Sequence, residues 1–280
     1  MITQWSSGSA QAGMDEAILV DLAVAVGRHP WWAARASLTL ALLGRLGVSP
    51  PARVLDAGCG WGVTLSALER RGYRAEGADV SRRALERLDR PGRTLIEADL
   101  TRLPPAGAGR FDAVLALDVI EHIDDDRAVV AGLGGLLSPG GVLVVSVPAL
   151  PELYTEFDAI QGHRRRYLPE TLGAAFAGSG LDLQQVFWWG SWLVPVLERQ
   201  RSRPRSRGGD SPAQAYGRYL RLPPWPLSLA LRLPFAWEQR RTLGHRLRTG
   251  TSLFAVARRT DATVDSTHEA NPEHGESRSA

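Results

Sequence analysis

Apolar positions along the chain change their period in a regular order. Residues 14–26 and 30–46 carry them at helical spacing, and the second run opens on Pro30, which suits a first helical turn. Short apolar runs then alternate with helix-like segments. Val54 and Leu55 form the first run, ahead of a glycine-rich turn. A helix is predicted over 63–71, stopped by Gly72, a usual place for a left-handed cap. Strands are predicted at 74–78, 94–98 and 111–117, with a helix beginning near Ser81. Asp124, Asp125 and Asp126 sit where acids favour a helix N-terminus, and a helix over 128–137 follows them. Residues 142–147 are rich in β-branched side chains and read as a central buried strand. Residues 181–189 and 251–258 read as two more. The alternation predicts an α/β fold with a doubly wound parallel sheet and a ligand at the strands' carboxyl ends.

The stretch 53–65 reads RVLDAGCGWGVTL. Gly58, Gly60 and Gly62 alternate there, and glycine lets backbone N–H groups and a helix N-terminus approach a ligand closely. The dinucleotide fingerprint is G-x-G-x-x-G, whereas this run is G-x-G-x-G with Asp56 two residues ahead of it. An acid at that point repels a pyrophosphate and attracts a cation. S-adenosylmethionine carries an ammonium and a sulfonium and no phosphate. On these residues the chain resembles the class I S-adenosylmethionine-dependent methyltransferases, whose first motif has this acid and this glycine spacing. The resemblance implies a Rossmann-like, seven-stranded sheet with its last strand antiparallel, N-terminal helices ahead of it, and S-adenosylmethionine as cofactor.

Asp79 ends the predicted second strand, where the fingerprint acid accepts bonds from both ribose hydroxyls. S-adenosylmethionine and NAD share that ribose, so Asp79 supports a nucleoside without choosing between them. The plainer role for Asp79 is a cap on the helix near Ser81. The resemblance brings Asp99, followed by Leu100, to the adenine amino group. It also brings Asp118, which opens the segment DVIEHI, to the methionine end of the cofactor. Glu121 and His122 are adjacent and do not share a helix face, and no H-x-x-x-H spacing completes a metal site, so no metal is expected.

Two clusters concern the acceptor. Trp31, Trp32 and Arg35 resemble an aromatic and arginine cluster ahead of the first motif in a bacterial branch of these methyltransferases; packing of both tryptophans on the sheet is the plainer role. Asp158, Gly162, His163, Arg165, Arg166 and Tyr167 resemble a lid-like region of the same branch, with a Gly-His-x-Arg-Arg-Tyr segment. The resemblance makes His163 a candidate general base, since imidazole titrates near neutrality, and the arginines candidate holders of a carboxylate or phosphate. The plainer alternative is a solvated loop tied to the sheet by arginine bonds to carbonyls. Leu168 stands before Pro169 where a Ser or Thr cap is usual.

Between the last two strands lies an insertion, 190–250, in which twelve arginines from Arg199 to Arg248 meet only Glu198, Asp210 and Glu238. Tyr216, Tyr219, Trp225, Leu227, Leu229, Leu231, Leu233, Phe235 and Trp237 are interleaved with them. It admits three readings: a helical cover over the substrate, a face resting on an anionic membrane surface, or a nucleic-acid interface. The last lacks a recognised module, and the chain has no lysine, so no nucleic-acid partner is expected. The methyltransferase domain is placed at 14–259, between a disordered 1–13 and a disordered 260–280. Cys59 is the single cysteine, and with no internal disulfide and no signal peptide read at the start, a cytoplasmic setting is the expectation, with contact to a membrane as the variant.

The resemblance implies direct in-line methyl transfer. The chain lacks the Asn-Pro-Pro or Asp-Pro-Pro motif used for amino groups of bases and glutamine amides. The expected acceptor is therefore a small molecule or a lipid-linked one, methylated at oxygen. Two other classes stay open: an NAD-dependent oxidoreductase, which needs its third glycine one place later than Gly62, and a non-catalytic cofactor-binding protein at a membrane periphery.

Overall fold

Parallel pairing of the short apolar runs lines up their carboxyl ends along one edge of a single sheet. The computed structural model describes residues 2–6, 14–103, 111–201, 209–222, 230–244 and 246–260. Its strands are β1 (Ile2–Gln4), β2 (Arg53–Ala57), β3 (Arg74–Asp79), β4 (Thr94–Glu97), β5 (Phe111–Leu117), β6 (Leu137–Pro148), β7 (Leu181–Trp189) and β8 (Ser252–Arg259). They lie in the order β1-β4-β3-β2-β5-β6-β8-β7, with β8 antiparallel to both neighbours and every other pairing parallel. Strand order reverses between β2 and β5, which opens a crevice outside their carboxyl ends.

Eleven helices among the described residues surround the sheet. In chain order they are α1 (Glu16–Asp21), α2 (Ala23–Arg28), α3 (Pro30–Arg45), α4 (Val63–Arg70), α5 (Arg82–Leu88), α6 (Asp126–Gly135), α7 (Glu156–Gln161), α8 (Pro169–Ala175), α9 (Val194–Gln200), α10 (Pro212–Tyr219) and α11 (Arg232–Leu243). The last three form the helical insertion between β7 and β8.

The central strands are buried on both faces. Val114, Leu143 and Val145 join Leu133 and Leu172 in one apolar layer, whereas Leu115, Val142 and Val144 join Leu38, Leu42 and Leu68 in the other. Neighbouring residues of β5 and β6 thus enter opposite layers, as the period of two requires. α3 turns a stripe of Trp32, Arg35, Ala36, Thr39, Leu42 and Leu43 inward. His29 caps this helix, its Nδ1 accepting from the Trp31 N–H at 3.2 Å.

Several expectations are corrected. Among the described residues the sheet has eight strands, not seven: Ile2–Gln4, expected to be without structure, pairs in parallel with β4. The Trp5 N–H continues the pairing to the Glu97 carbonyl at 3.0 Å, and Ser6 Oγ accepts from the Asp99 N–H at 2.7 Å. Three residues are too few to show a period. The first helical run breaks at Leu22 into α1 and α2. β6 starts at Leu137, because Leu137 pairs with Phe111 before an irregularity and regular pairing resumes at Val142. Thr171 Oγ1 accepts from the Leu168 N–H at 2.9 Å, so α8 starts on Pro169 without a Ser or Thr cap. Residues 202–208, Trp225, Leu227, Leu229 and 261–280 lie outside the described residues.

The core around β8 supplies a test. Phe254 is fully buried, stacks on Phe187 at 5.6 Å and meets Trp189 edge-on at 6.0 Å. Phe254→Ala is expected to cost about 3–5 kcal/mol in urea unfolding. Leu233→Ala, at a position 72% exposed on α11, should change stability by no more than about 0.5 kcal/mol.

Candidate functional site

The turn after β2 is shaped by hydrogen bonds from its own backbone. Gly58, Gly60 and Gly62 all have positive φ, which glycine adopts without penalty. The Gly58 and Cys59 N–H groups donate to the Ala78 carbonyl at 2.8 and 2.9 Å, tying the turn to the end of β3. A Cβ on Gly58 would run into the Val119 side chain, and one on Gly62 would stand 2.7 Å from Leu88. The Cys59 thiol is buried and its pKa raised by that burial.

Asp79 connects the first two strand-to-helix turns. Its carboxylate accepts from the Gly60 N–H at 2.8 Å and from the Ser81 N–H at 2.9 Å. The helix cap is Ser81 itself, whose Oγ accepts from the Ala84 N–H at 3.1 Å. Burial pushes the Asp79 pKa up, against the pull of those backbone bonds. Ser81 Oγ also donates to Glu16 at 2.8 Å, which draws α1 across the opening. Asp56, on β2, is 2% exposed, and its Oδ2 has no hydrogen-bond partner among the described residues. Burial pushes its carboxyl up to about 7, opposed by the charge of Arg35. Asp99, after β4, accepts from the backbone and hydroxyl of Thr101 at 2.9 and 2.7 Å.

At the end of β5, Asp118 holds a left-handed backbone, φ 59°, which costs a non-glycine residue about 1–3 kcal/mol. Two partners hold it there: Ser146 Oγ donates to Oδ1 at 3.1 Å, and Arg35 pairs with Oδ2. Arg35 is itself buried, with its guanidinium 4.8 Å from the Trp31 ring centre.

The loop after α7 is built around Asp158, which is fully buried. Its carboxylate accepts from the Thr155 N–H at 2.9 Å, Arg166 Nε at 2.8 Å and Nη2 at 3.0 Å, and His163 Nδ1 at 2.9 Å. Burial alone would raise its pKa; the bonds from His163 and Arg166 outweigh that and hold it below the usual carboxylate range. His163 Nε2 points the other way, 3.8 Å from Glu121 Oε1. Glu121 is fully buried, and neither oxygen has a hydrogen-bond partner among the described residues. Burial and the charge of Asp118 push its pKa well up. The His122 ring packs edge-on against His163 at 4.8 Å, and burial lowers its pKa to about 4.

All this surrounds a cavity of about 2070 Å³ along the carboxyl ends of β2 to β5, under α1, α7 and α10. Asp56, Gly58, Gly60, Asp79, Asp99, Leu100 and Asp118 reach it, as do Trp31, Trp32, His163 and Arg166; Gly62, Arg165 and Tyr167 do not. Arg165 bonds Asp126 at 3.3 Å and the Asp124 carbonyl at 3.1 Å, and the Tyr167 hydroxyl donates to Asp126 at 2.8 Å. Arg166 donates to the Ala149 carbonyl at 2.9 Å besides holding Asp158. These bonds tie the loop to α6, to α7 and to the chain just beyond β6. Trp31 packs on Trp189 at 5.3 Å, while Trp32 meets Trp61, which meets Tyr216 at 6.2 Å. Of the wall formed by Trp61, Phe157 and Tyr216, only Tyr216 was among the aromatics singled out in the sequence; Trp61 and Phe157 escaped the sequence reading. Trp61 lies inside the glycine turn and was legible there; Tyr216 reaches the wall from the insertion. The three-way meeting of Glu121, His122 and His163 escaped it too, because its third member comes from a distant loop.

The sequence matches the model of a methyltransferase domain over residues 31–186, more than half of the chain. An uncharacterised methyltransferase of Mycobacterium bovis is 38% identical over 106 residues, covering 36% of this chain and 52% of that protein. A ubiquinone biosynthesis O-methyltransferase of Psychrobacter arcticus is 34% identical over 102 residues, covering 34% of this chain and 40% of that one. The chain thus matches about half the length, or less, of these curated relatives. Among solved structures, the 4+2 cyclase SpnF aligns with a TM-score of 0.54 at 18% identity, over 84% of this chain and 85% of that one. At such identity the likeness shows the fold alone. With the domain match, the alternating strands and the glycine turn in agreement, the chain belongs to the methyltransferase domain family, and its domain is of the class I, S-adenosylmethionine-dependent kind.

Proposed function

We propose that this chain transfers a methyl group from S-adenosylmethionine to a hydroxyl oxygen of a small or lipid-linked acceptor. The observation that carries this reading is the division of one cavity into two parts. The glycine turn and the acids Asp56, Asp79 and Asp99 line the ends of β2, β3 and β4, whereas aromatic rings with His122 and His163 line the region beyond Asp118, Glu121 lying buried behind the two imidazoles. About 2070 Å³ exceeds the roughly 300–1,000 Å³ of an ordinary small-molecule pocket, so cofactor and acceptor fit together. The relatives named as O-methyltransferases support oxygen as the atom methylated.

In this reading the glycine turn lets the cofactor lie against the backbone, with Asp79 on the ribose hydroxyls and Asp99 and Leu100 at the adenine. Asp56, with one oxygen unpartnered among the described residues, attracts the ammonium. Asp118 and Arg35 border the methionine end. Trp32 and Trp61 wall the acceptor side. The protein's main contribution is alignment in a dry site, which is worth about 7–11 kcal/mol of barrier. The acceptor hydroxyl gives up its proton beside His163.

A second reading, peripheral contact with an anionic membrane, draws on α11, where Leu233 is 72% and Trp237 56% exposed and Arg241 lies 4.9 Å from the Trp237 ring centre. No helix among the described residues is long and apolar enough to cross a membrane.

Calorimetric titration with S-adenosylhomocysteine tests the cofactor site. Wild-type protein should bind it and ignore NADH. Asp79→Ala, which removes charge-assisted hydrogen bonds of about 1.5–3 kcal/mol, should weaken binding about 10- to 150-fold. A preference for NADH would sink the reading.

The pH dependence has a defined sign. Asp56 titrates at about 7 in the free protein, and a bound cation favours its ionised form. Affinity for S-adenosylmethionine should therefore rise about tenfold per pH unit up to about pH 7 and then level off. Asp56→Asn should flatten that profile; an unchanged profile in the variant would remove Asp56 from the site.

For the membrane reading, Trp237→Ala should reduce co-sedimentation with phosphatidylglycerol vesicles at least about threefold, and equal pelleting of both proteins would refute it.

A further inference from the structure

The sequence separates Glu121 and His122 from His163, yet one ligating atom from each lies within 4.8 Å of the other two. Each imidazole is oriented through its second nitrogen. His122 Nδ1 lies 3.3 Å from the Gly162 carbonyl, and His163 Nδ1 lies 2.9 Å from the Asp158 carboxylate. Both partners are acceptors, so Nδ1 carries the proton on each ring and Nε2 keeps its lone pair. Metal-ligating histidines are held in this way, by a carbonyl or carboxylate on the second nitrogen. The two segments are locked together as well, since the Arg164 N–H donates to the Glu121 carbonyl at 2.9 Å and its Nε to the His122 carbonyl at 2.7 Å.

An independent observation comes from Glu121. Its side chain is fully buried, and both oxygens are without hydrogen-bond partners among the described residues. A buried carboxylate in that state is unfavourable unless a proton or a cation meets it. His163 Nε2 is 3.8 Å from Oε1. Two ligands bound at about 2.0–2.1 Å to one tetrahedral ion stand about 3.4 Å apart, so small side-chain shifts bring this pair into place.

We infer that Glu121, His122 and His163 hold a divalent first-row transition cation whose open side faces the cavity and takes the acceptor's hydroxyl oxygen. The inference deepens the methyl-transfer reading and rests on it for the identity of that oxygen. Three protein ligands with a position left open are the pattern of a catalytic site, not a structural one. Two nitrogen ligands favour an ion such as zinc or cobalt over magnesium or calcium. Both rings border the cavity, so the open position is reachable by the acceptor. The step balances: the bound hydroxyl loses its proton to water, and its oxygen lone pair forms the new bond to the methyl carbon. The methyl–sulfur bond breaks with its electron pair staying on sulfur, which yields the methyl ether and S-adenosylhomocysteine. His163 then serves as a ligand, replacing the base expected from the sequence.

The test is a cobalt(II) titration of the chelator-treated full chain, followed by visible d–d absorption, with S-adenosylhomocysteine calorimetry on the same samples. Wild type should take up one equivalent with new visible bands. Glu121→Gln and His122→Gln should each weaken cobalt binding about 10- to 100-fold while S-adenosylhomocysteine still binds, which also shows that they are folded. If Glu121→Gln fails to fold, His122→Gln decides. Protein that binds S-adenosylhomocysteine but no cobalt overturns the inference and returns His163 to the role of base. Cobalt binding unaltered by either substitution overturns it as well. Cobalt binding without S-adenosylhomocysteine binding supports the cation site and sinks the cofactor reading instead.

Discussion

The carboxylate of Asp79 joins two turns that are far apart in sequence, and the cofactor cleft depends on that junction. It accepts the Gly60 and Ser81 amides, while the Ala78 carbonyl takes the Gly58 and Cys59 amides. The glycine turn is thereby fixed against the end of β3, not merely allowed by the absence of Cβ atoms. Pairing of β2 with β3 brings these groups into range. An acid kept ionised there must be matched by donors, because burial works against it. A ligand with hydroxyls and positive charge meets a site already ordered to receive it, which lowers the entropic cost of binding.

A second buried acid organises the other half of the cavity. Asp158 takes bonds from Thr155, His163 and Arg166, and Arg166 reaches on to the Ala149 carbonyl beyond β6. One side of the His163 ring is thus occupied by the scaffold and the other faces Glu121. The two acids differ in a way that matters for chemistry. Asp158 has its donors and stays ionised, whereas Glu121 has none among the described residues and is pushed toward neutrality unless a cation meets it. Breaking a buried, hydrogen-bonded charge pair such as Asp158 and Arg166 typically costs about 3–5 kcal/mol, so this loop is rigid support and not a mobile flap.

Local order in this fold was legible along the chain. Strand runs with a period of two, a glycine turn with its acid, a Pro30 helix start and Gly72 just past a helix end are short-range features governed by backbone sterics and by which face is apolar. They set the βαβ order, and with it the placement of Asp56, Asp79, Asp99 and Asp118 at strand ends. Asp125 likewise caps α6 through the Ala128 N–H at 3.0 Å, as an acid before a helix should.

Tertiary structure alone decided where the remaining side chains were committed. Arg165, Arg166 and Tyr167 have the chemistry to hold an anion, yet Asp126, Asp158 and backbone carbonyls take them up. Ile2–Gln4 becomes a strand only because β4 presents an open edge. Arg35 reaches Asp118 from a helix more than eighty residues earlier. Glu121, His122 and His163 show no ligand spacing because residues 123–162, an excursion through α6, β6 and α7, separate the two segments that meet. Periodicity reports which face of an element is apolar; it carries no information about which distant polar group will lie opposite, and that is settled by packing.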